Sequence, residues 1–242
     1  MRLVKLDAID STNDFLKDLI RQQNVENFTV ISAENQTKGK GQMGAVWNSE
    51  QGKNLIMSVL IKDFLSDPKD VFDLNIVISL AVIRSLEQLN IPKLSIKWPN
   101  DIMSDNKKIG GILIENSFKS DQSIASIVGI GLNVNQTHFE NLPQAASLAL
   151  ITQNTFDKDA LLHLIVDEMK GIINSWEICS ITLKENYCNL LFNKDVLMPF
   201  QKADLSIFMG IIKGVTVTGQ LKIVSENGTS FDFDIKEVKM LF

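Results

Sequence analysis

The chain has 242 residues, 45% of them apolar and 22% charged, with a formal net charge of −5. This is length enough for one large or two small domains around a substantial core, and the apolar content is too high for a disordered chain. No apolar run approaches the ~20 residues that span a bilayer. Residues 1–7 lack the apolar core of a signal peptide, and two cysteines, Cys179 and Cys188, cannot build a disulfide framework. These features point to a cytoplasmic enzyme or binding protein. The acidic balance argues against bulk attraction to phosphate backbones. His138 and His163 lack metal-ligand spacing, which argues against zinc.

Along the chain, Asp10-Ser11-Thr12-Asn13 offers N-cap side chains ahead of Phe15, Leu16, Leu19 and Ile20 at helical spacing. Residues 28–33 read as a strand, 35–54 as a loop rich in glycine and polar residues, and 55–61 as an apolar run of strand length. A helix is expected over 70–89, with Val71, Leu74, Val77, Ile78, Ala81, Val82 and Leu86 in helical pattern and Asn90-Ile91-Pro92 as its stop. Strands are expected at 94–97, 108–115 and 123–134, the last two paired antiparallel through a polar turn around Lys119-Ser120-Asp121. A second helix is expected over 157–176. Beyond about residue 190, short β-type runs alternate with turn signals at Gly210, Gly214, Gly219 and Asn227-Gly228, and 215–224 and 230–238 read as hairpin strands. A boundary near 188 divides the chain into 1–188 and a small β-barrel or β-sandwich, 189–242.

Two segments suggest chemistry. The loop 38–53 is long for a compact domain, and such loops are more often functional than idle. It contains Gly39-Lys40-Gly41-Gln42-Met43-Gly44, a literal G-x-G-x-x-G, but residues 45–52 are poor helix formers and lead into another strand. The dinucleotide-binding reading therefore lacks its helix, and the P-loop order is absent. An anion- or ligand-cradling loop, with glycine N–H groups aimed at the ligand and Lys40 adding charge, stands beside a flexible surface loop. In the second segment, Lys97-Trp98-Pro99-Asn100-Asp101, Pro99 restricts Trp98 to extended geometry. Asn100 can read a heterocycle edge, and Asp101 can hold Mg²⁺ or receive a proton. A rigid turn with an Asx cap is the simpler alternative. Downstream, Lys108-Ile109-Gly110-Gly111-Ile112 and Gly129-Ile130-Gly131-Leu132-Asn133 put glycines inside strands, which marks close approach by a ligand or another backbone, or relief of crowding against a helix.

Taken in order, Ser11-Thr12-Asn13, Gln36 to Gly41, Trp47, Lys97 to Asp101, Lys108 to Ile112 and Gly129 to Asn133 resemble the motifs of the biotin protein ligases, over nearly the whole chain. The Lys-Trp-Pro-Asn-Asp string with its downstream Lys-x-x-Gly-Ile strand is the most specific part. The resemblance implies an α+β protein: a mixed-sheet catalytic domain of the biotin/lipoate ligase type and a small C-terminal SH3-like β-barrel. It implies two reactions. Biotin and Mg-ATP give biotinyl-5′-AMP and pyrophosphate, and a lysine of a biotin carboxyl carrier protein then takes the biotin and releases AMP. That partner belongs to acetyl-CoA carboxylase or a related biotin-dependent carboxylase.

The resemblance also implies roles. Ser11, Thr12 and Gln36 hydrogen-bond the ureido ring, whose buried polar groups need partners, and Asn13 belongs to the biotin site beside them. Gly39, Lys40, Gly41 and Gln42 run along biotin and the adenylate phosphate, Trp47 packs over the ligand, and Gly111 admits the valeryl chain. Lys108 binds the carboxylate and then the phosphoryl oxygens. Asn100 and Asn133, with Lys40 and Lys108, contact the nucleotide. Asp101 lies near the metal or the incoming lysine. Biotin and Mg-ATP are substrates, with no tightly bound prosthetic group. The loop departs from the family's usual G-R-G-R-x-G: Lys40 loses the guanidinium fork, Gln42 loses the charge, and Ala45 or Val46 replaces a further base. The adenylate is therefore expected to be held less tightly. With the first motif at residue 11, and six lysines balanced by six acids from 190 to 242, no DNA binding is expected; no membrane association is expected either, and a homodimer is compatible with the resemblance. A lipoate–protein ligase or octanoyl transferase of the same fold is the nearest alternative, although the Lys-Trp-Pro-Asn-Asp string belongs to the biotin branch. A non-catalytic biotin- or nucleotide-binding module would not need Lys108 and Asp101 together.

Overall fold

A computed structural model describes residues 1–118, 123–140 and 142–242, so the expected turn at Lys119-Ser120-Asp121 lies outside the described residues. The larger part is a seven-stranded mixed sheet in the order β1-β2-β3-β7-β6-β5-β4. Its strands are β1 (Leu3–Leu6), β2 (Val30–Ala33), β3 (Leu55–Lys62), β4 (Leu94–Lys97), β5 (Asp101–Ser104), β6 (Lys107–Phe118) and β7 (Ile124–Leu132). Only β1 and β2 run parallel. In central β3, all residues from Leu55 to Ile61 are buried. A strand apolar on both faces needs a layer on each side, and the helices supply them.

Helices α2 (Val71–Gln88) and α4 (Lys158–Asn189), separated in the chain by the short α3 (Leu148–Thr152), cover one face. From Asp73 to Ile83 every residue of α2 is buried, as expected for a helix sandwiched between a sheet and another helix. The sequence ends the second helix at 176, but α4 continues to Asn189. No proline interrupts it, and Leu183 and Tyr187 bury themselves again after the polar stretch. Helix α1 (Thr12–Gln22) covers the other face, with Leu16, Leu60, Ala125 and Ile127 in a smaller core. Strands β1 and β5 are absent from the sequence reading. Each is four residues long and owes its state to its neighbours: β1 pairs with β2, and β5 folds back on β4 across Trp98-Pro99-Asn100.

The remaining strands, β8 (Leu197–Lys202), β9 (Ile207–Val215), β10 (Leu221–Ser225), β11 (Ser230–Phe233) and β12 (Val238–Met240), form an antiparallel sheet ordered β11-β10-β9-β8-β12. The run 215–224 is not a continuous strand: β9 ends at Val215 and β10 begins at Leu221. It turns at Thr216–Gln220, where Gly219 has φ +89°. Phe208 of β9 lies with ring centroids 5.9 Å from both Phe231 and Phe233 of β11, two strands away. Flat strands two apart would be separated by ~9.5 Å, so the rings lean toward one another across β10 and form an aromatic cluster. One apolar core joins both sheets. At the junction the buried Trp98 indole donates to Gly219 O at 2.8 Å, and a side chain on Gly219 would strike the Phe72 ring. Among the described residues, no helix is long and apolar enough to cross a membrane.

Candidate active site

On the α1 face, β6 and β7 carry glycines where side chains would otherwise fill the space. Asp101, Gly111, Gly131 and Ile56 stand in register across four strands; two residues further along stand Leu113, Gly129 and Ser58. The two rows are ~7 Å apart. A Cβ on Gly129 would come within 2.6 Å of Asn13 Oδ1, and one on Gly131 within 2.5 Å of the Trp47 indole. The bare backbone therefore lets the first turn of α1 and the Trp47 ring lie on the sheet. A cavity of about 310 Å³ opens between them.

One end of the cavity is polar and uncharged. Ser11 caps α1 by accepting the Asp14 N–H at 3.3 Å, which places Thr12 and Asn13, both buried, against the sheet. The Thr12 N–H and hydroxyl both donate to Gln36 Oε1, at 2.7 and 3.0 Å. The Ser58 hydroxyl lies 2.7 Å from Thr12 Oγ1 and 2.5 Å from Asn13 Oδ1. Asn13 Nδ2 donates to Glu115 Oε2 at 2.7 Å, and Glu115 also pairs with Lys17.

The other end is charged. Lys108 Nζ lies 2.6 Å from Asp101 Oδ1 and 5.8 Å from the Trp47 ring centroid. Lys97 Nζ lies 3.9 Å from Asp101 Oδ2 and 5.0 Å from the Phe242 ring. Burial pulls the Lys97 pKa below its ordinary value; Asp101 opposes the shift, while Lys108 and Lys239 add to it. The turn between β4 and β5 is fastened at three points. Asn100 Nδ2 donates to Ile112 O at 2.6 Å, the Ile112 N–H donates to Asn100 O at 3.0 Å, and Asn75 Nδ2 donates to Pro99 O at 2.8 Å.

Residues 38–53 fold over the cavity as a closed loop rather than opening a helix. The Gly41 N–H donates to Ala45 O at 2.7 Å and the Trp47 N–H to Gly39 O at 3.0 Å, around a short 3₁₀ turn at Gln42–Gly44. Lys40 Nζ lies 2.6 Å from Asp14 Oδ2, and that hydrogen bond holds the Lys40 pKa above its ordinary value. The Trp47 indole N–H is buried and has no hydrogen-bond partner among the described residues.

Of the residues singled out in the sequence, Ser11, Thr12, Asn13, Gln36, Lys40, Gly41, Gln42, Trp47, Asn100, Asp101, Lys108 and Gly111 line this one cavity. Gly39 stands behind it, its carbonyl holding Trp47 and its Cα too close to the Trp47 carbonyl for a side chain. Asn133 is also outside the lining: its N–H donates to Ile109 O and its side chain to Ala146 O, tying the end of β7 to β6 and the chain beyond. Sequence reasoning gave no role to Ser58 or Lys97, or to the apolar wall of Met57, Leu113 and Ile130. It also missed Ile235 and Lys236, which reach the cavity from the turn between β11 and β12. Glycine spacing could have pointed to Ser58, which pairs with Gly129; nothing local marks Ile235 or Lys236. Among the described residues, no group of three or more His, Cys, Asp or Glu could hold a metal ion. Asp101 is already shared between two ammonium groups, so a divalent ion here fits as part of a nucleotide complex rather than as a resident.

The site is a glycine-floored slot on a mixed sheet, polar at one end and lysine-bearing at the other. The chain belongs to the biotin/lipoate A/B protein ligase family, whose model matches residues 6–135. It is 34% identical over 134 residues to the bifunctional ligase/repressor BirA of Bacillus subtilis, a match spanning 55% of this chain and 41% of that protein. It is 28% identical over 191 residues to the biotin–[acetyl-CoA-carboxylase] ligase of Mycobacterium tuberculosis, spanning 76% and 69%. The chain spans about half the length of the BirA relatives that it matches. The structure of the Aquifex aeolicus biotin protein ligase in complex with biotin and ATP superposes with a TM-score of 0.80 at 27% identity, over 99% of this chain and 98% of that one.

Proposed function

We propose that this protein is an ATP-dependent biotin protein ligase, with residues 1–188 as its catalytic unit and 189–242 as its accessory β unit, acting in the cytoplasm on a biotin carboxyl carrier protein. The observation that carries this reading is the spacing of the cavity's two ends. A neutral cluster of donors and acceptors (Thr12, Asn13, Gln36 and Ser58) stands at the β3 side of the slot and the Lys108–Asp101 pair at its β6–β5 side, three strand spacings or ~14 Å of backbone apart, with Gly111, Gly129 and Gly131 flooring the gap. Biotin has the matching shape: a ureido ring, an apolar chain and a terminal carboxylate.

In the first step a carboxylate oxygen of biotin attacks the α-phosphorus of Mg-ATP. The bond to the β-phosphate breaks, and pyrophosphate leaves. Lys108 neutralises the carboxylate and then the charge developing on the phosphoryl oxygens, from a position fixed by its strand. Asn100 and Lys40 meet the nucleotide. In the second step the ε-amine of the carrier lysine attacks the acyl carbon and AMP leaves. The amine must shed a proton, and Asp101, once Lys108 has turned to the phosphate, is the carboxylate at hand to take it. The mixed anhydride hydrolyses in water, which explains a loop closed by Trp47 and Lys40.

The test is incubation with ATP, Mg²⁺ and either biotin or lipoate, plus an apo carrier domain, followed by mass spectrometry. A biotin increment on one lysine is expected. Lipoyl transfer without biotin transfer would overturn the reading in favour of the other branch of the family.

A further inference from the structure

The loop 38–53 is poor in cations for a segment meant to face phosphate: Gln42, Met43, Ala45 and Val46 line the cavity as neutral residues, and Lys40 is engaged with Asp14. Lys108 is engaged with Asp101. The remaining lysine in the lining comes from the second sheet. Lys236 is exposed and, among the described residues, has no ion-pair or hydrogen-bond partner. It raises the cavity's complement to three lysines against one carboxylate, in a protein whose net charge is −5.

The turn that presents Lys236 is tied down on both sides. The Glu237 N–H donates to Asp234 O at 3.1 Å, and the Asp234 N–H donates to Glu237 Oε2 at 2.8 Å. Gln220 Nε2 donates to Asp234 Oδ2 at 3.0 Å, and the neighbouring Gly219 carbonyl accepts the Trp98 indole N–H. A chain of contacts therefore runs from the Lys-Trp-Pro-Asn-Asp turn, through Gly219 and Gln220, to the Asp234–Glu237 turn. Both acids of the turn, Asp234 and Glu237, accept from neutral donors, the Gln220 amide and a backbone N–H, and among the described residues neither forms an ion pair with the lysine between them. Lys236 itself sits at φ +74°, in the left-handed region, which aims it differently from an extended β-edge residue.

We propose that Lys236 binds the phosphate groups of the nucleoside triphosphate, so that the second sheet supplies a cation the loop lacks. This rests on the ligase reading for its nucleotide. The role is electrostatic, through a mobile ammonium in a partly open cavity, and it falls with ionic strength.

The experiment is direct titration of ATP binding by calorimetry in wild type, Lys236→Gln, Lys236→Glu and Lys236→Arg, at two salt concentrations. Biotin affinity, carrier KM and thermal melting are measured alongside. Loss of one charge-assisted contact predicts ATP affinity about tenfold weaker in Lys236→Gln. A larger loss is expected in Lys236→Glu, near-complete recovery in Lys236→Arg, and a flatter salt dependence in Lys236→Gln. Biotin affinity without ATP, carrier KM and melting stay within error, because Lys236 has no ion-pair or hydrogen-bond partner among the described residues to lose. ATP affinity within twofold of wild type in both Lys236→Gln and Lys236→Glu overturns the proposal. So does a raised carrier KM with intact ATP affinity, which would make the turn a docking element. So does a wild type that does not bind ATP. A wild type that binds ATP but shows no biotin-dependent pyrophosphate exchange sinks the ligase reading alone, since the titration still tests Lys236.

Discussion

Two lysine–carboxylate pairs flank the cavity at the same 2.6 Å, and they are built for opposite purposes. Lys108 and Asp101 belong to adjacent strands, β6 and β5, whose backbones are locked in the ladder, and their side chains are 37% and 19% exposed. Lys40 stands on a loop and Asp14 on the first turn of a helix, with side chains 49% and 39% exposed. A solvent-facing pair contributes little to stability, so the second pair can open and close cheaply. The first is held where charge will develop. The difference places reacting charge on the sheet and closure on the loop.

The strongest way to break this comparison is Lys108→Ala. If the strand-borne pair carries the chemistry, biotin-dependent pyrophosphate exchange falls by about 10²- to 10³-fold, while the melting temperature moves little. Activity within tenfold of wild type would move the chemistry elsewhere. Next in size is Gly131→Val, which leaves the pair intact but removes the floor. Its Cβ would enter the Trp47 ring, so the indole must leave. Biotin affinity is expected to fall at least tenfold, and amide exchange over residues 39–47 should rise. Unchanged exchange there would mean that the loop closes without Trp47.

The rigid half of this arrangement was largely legible in the sequence; the loop half was legible as a segment, but not the contacts that close it. Strand β4 falls on the expected residues 94–97, and α2 within one residue of its expected ends, because their apolar patterns are strong and local. The glycines of β6 and β7 announced a close approach, and the structure identifies what approaches: Asn13 and Trp47. Strand β5 stayed hidden because Asp101-Ile102-Met103-Ser104 is too short to show a period; it is a strand because β4 and β6 flank it. The Lys40–Asp14 latch, the Glu115 link to Asn13 and Lys17, and the arrival of Lys236 join residues distant in the chain. Local pattern holds no record of such contacts.

A smaller effect is expected where the loop meets phosphate. Gln42 lines the cavity without charge. Restoring a guanidinium with Gln42→Arg adds charge-assisted donors. We expect biotinyl-AMP to be released several-fold more slowly, about threefold to tenfold, in a rapid-dilution assay without carrier. Release no slower than from wild type would mean that backbone N–H groups already satisfy that phosphate.

The smallest effect is expected from the latch itself. Asp14→Asn keeps the size of the side chain and removes the charge that Lys40 faces, so the loop loses one exposed ion pair and the KM for biotin rises by about twofold. High salt should erase the difference between variant and wild type, since it screens the pair in the wild type and has nothing to screen in the variant. The pH dependence follows from the direction of the Lys40 shift. Its pKa is raised in the folded protein by the hydrogen bond to Asp14, so the latch's contribution is fully present below the ordinary lysine value. It is lost only as pH climbs through the higher folded one. From about pH 7 to 9 the gap between Asp14→Asn and wild type is therefore flat. A gap that closes within that range would mean that Lys40 titrates early, and that a group other than Asp14 holds the loop down.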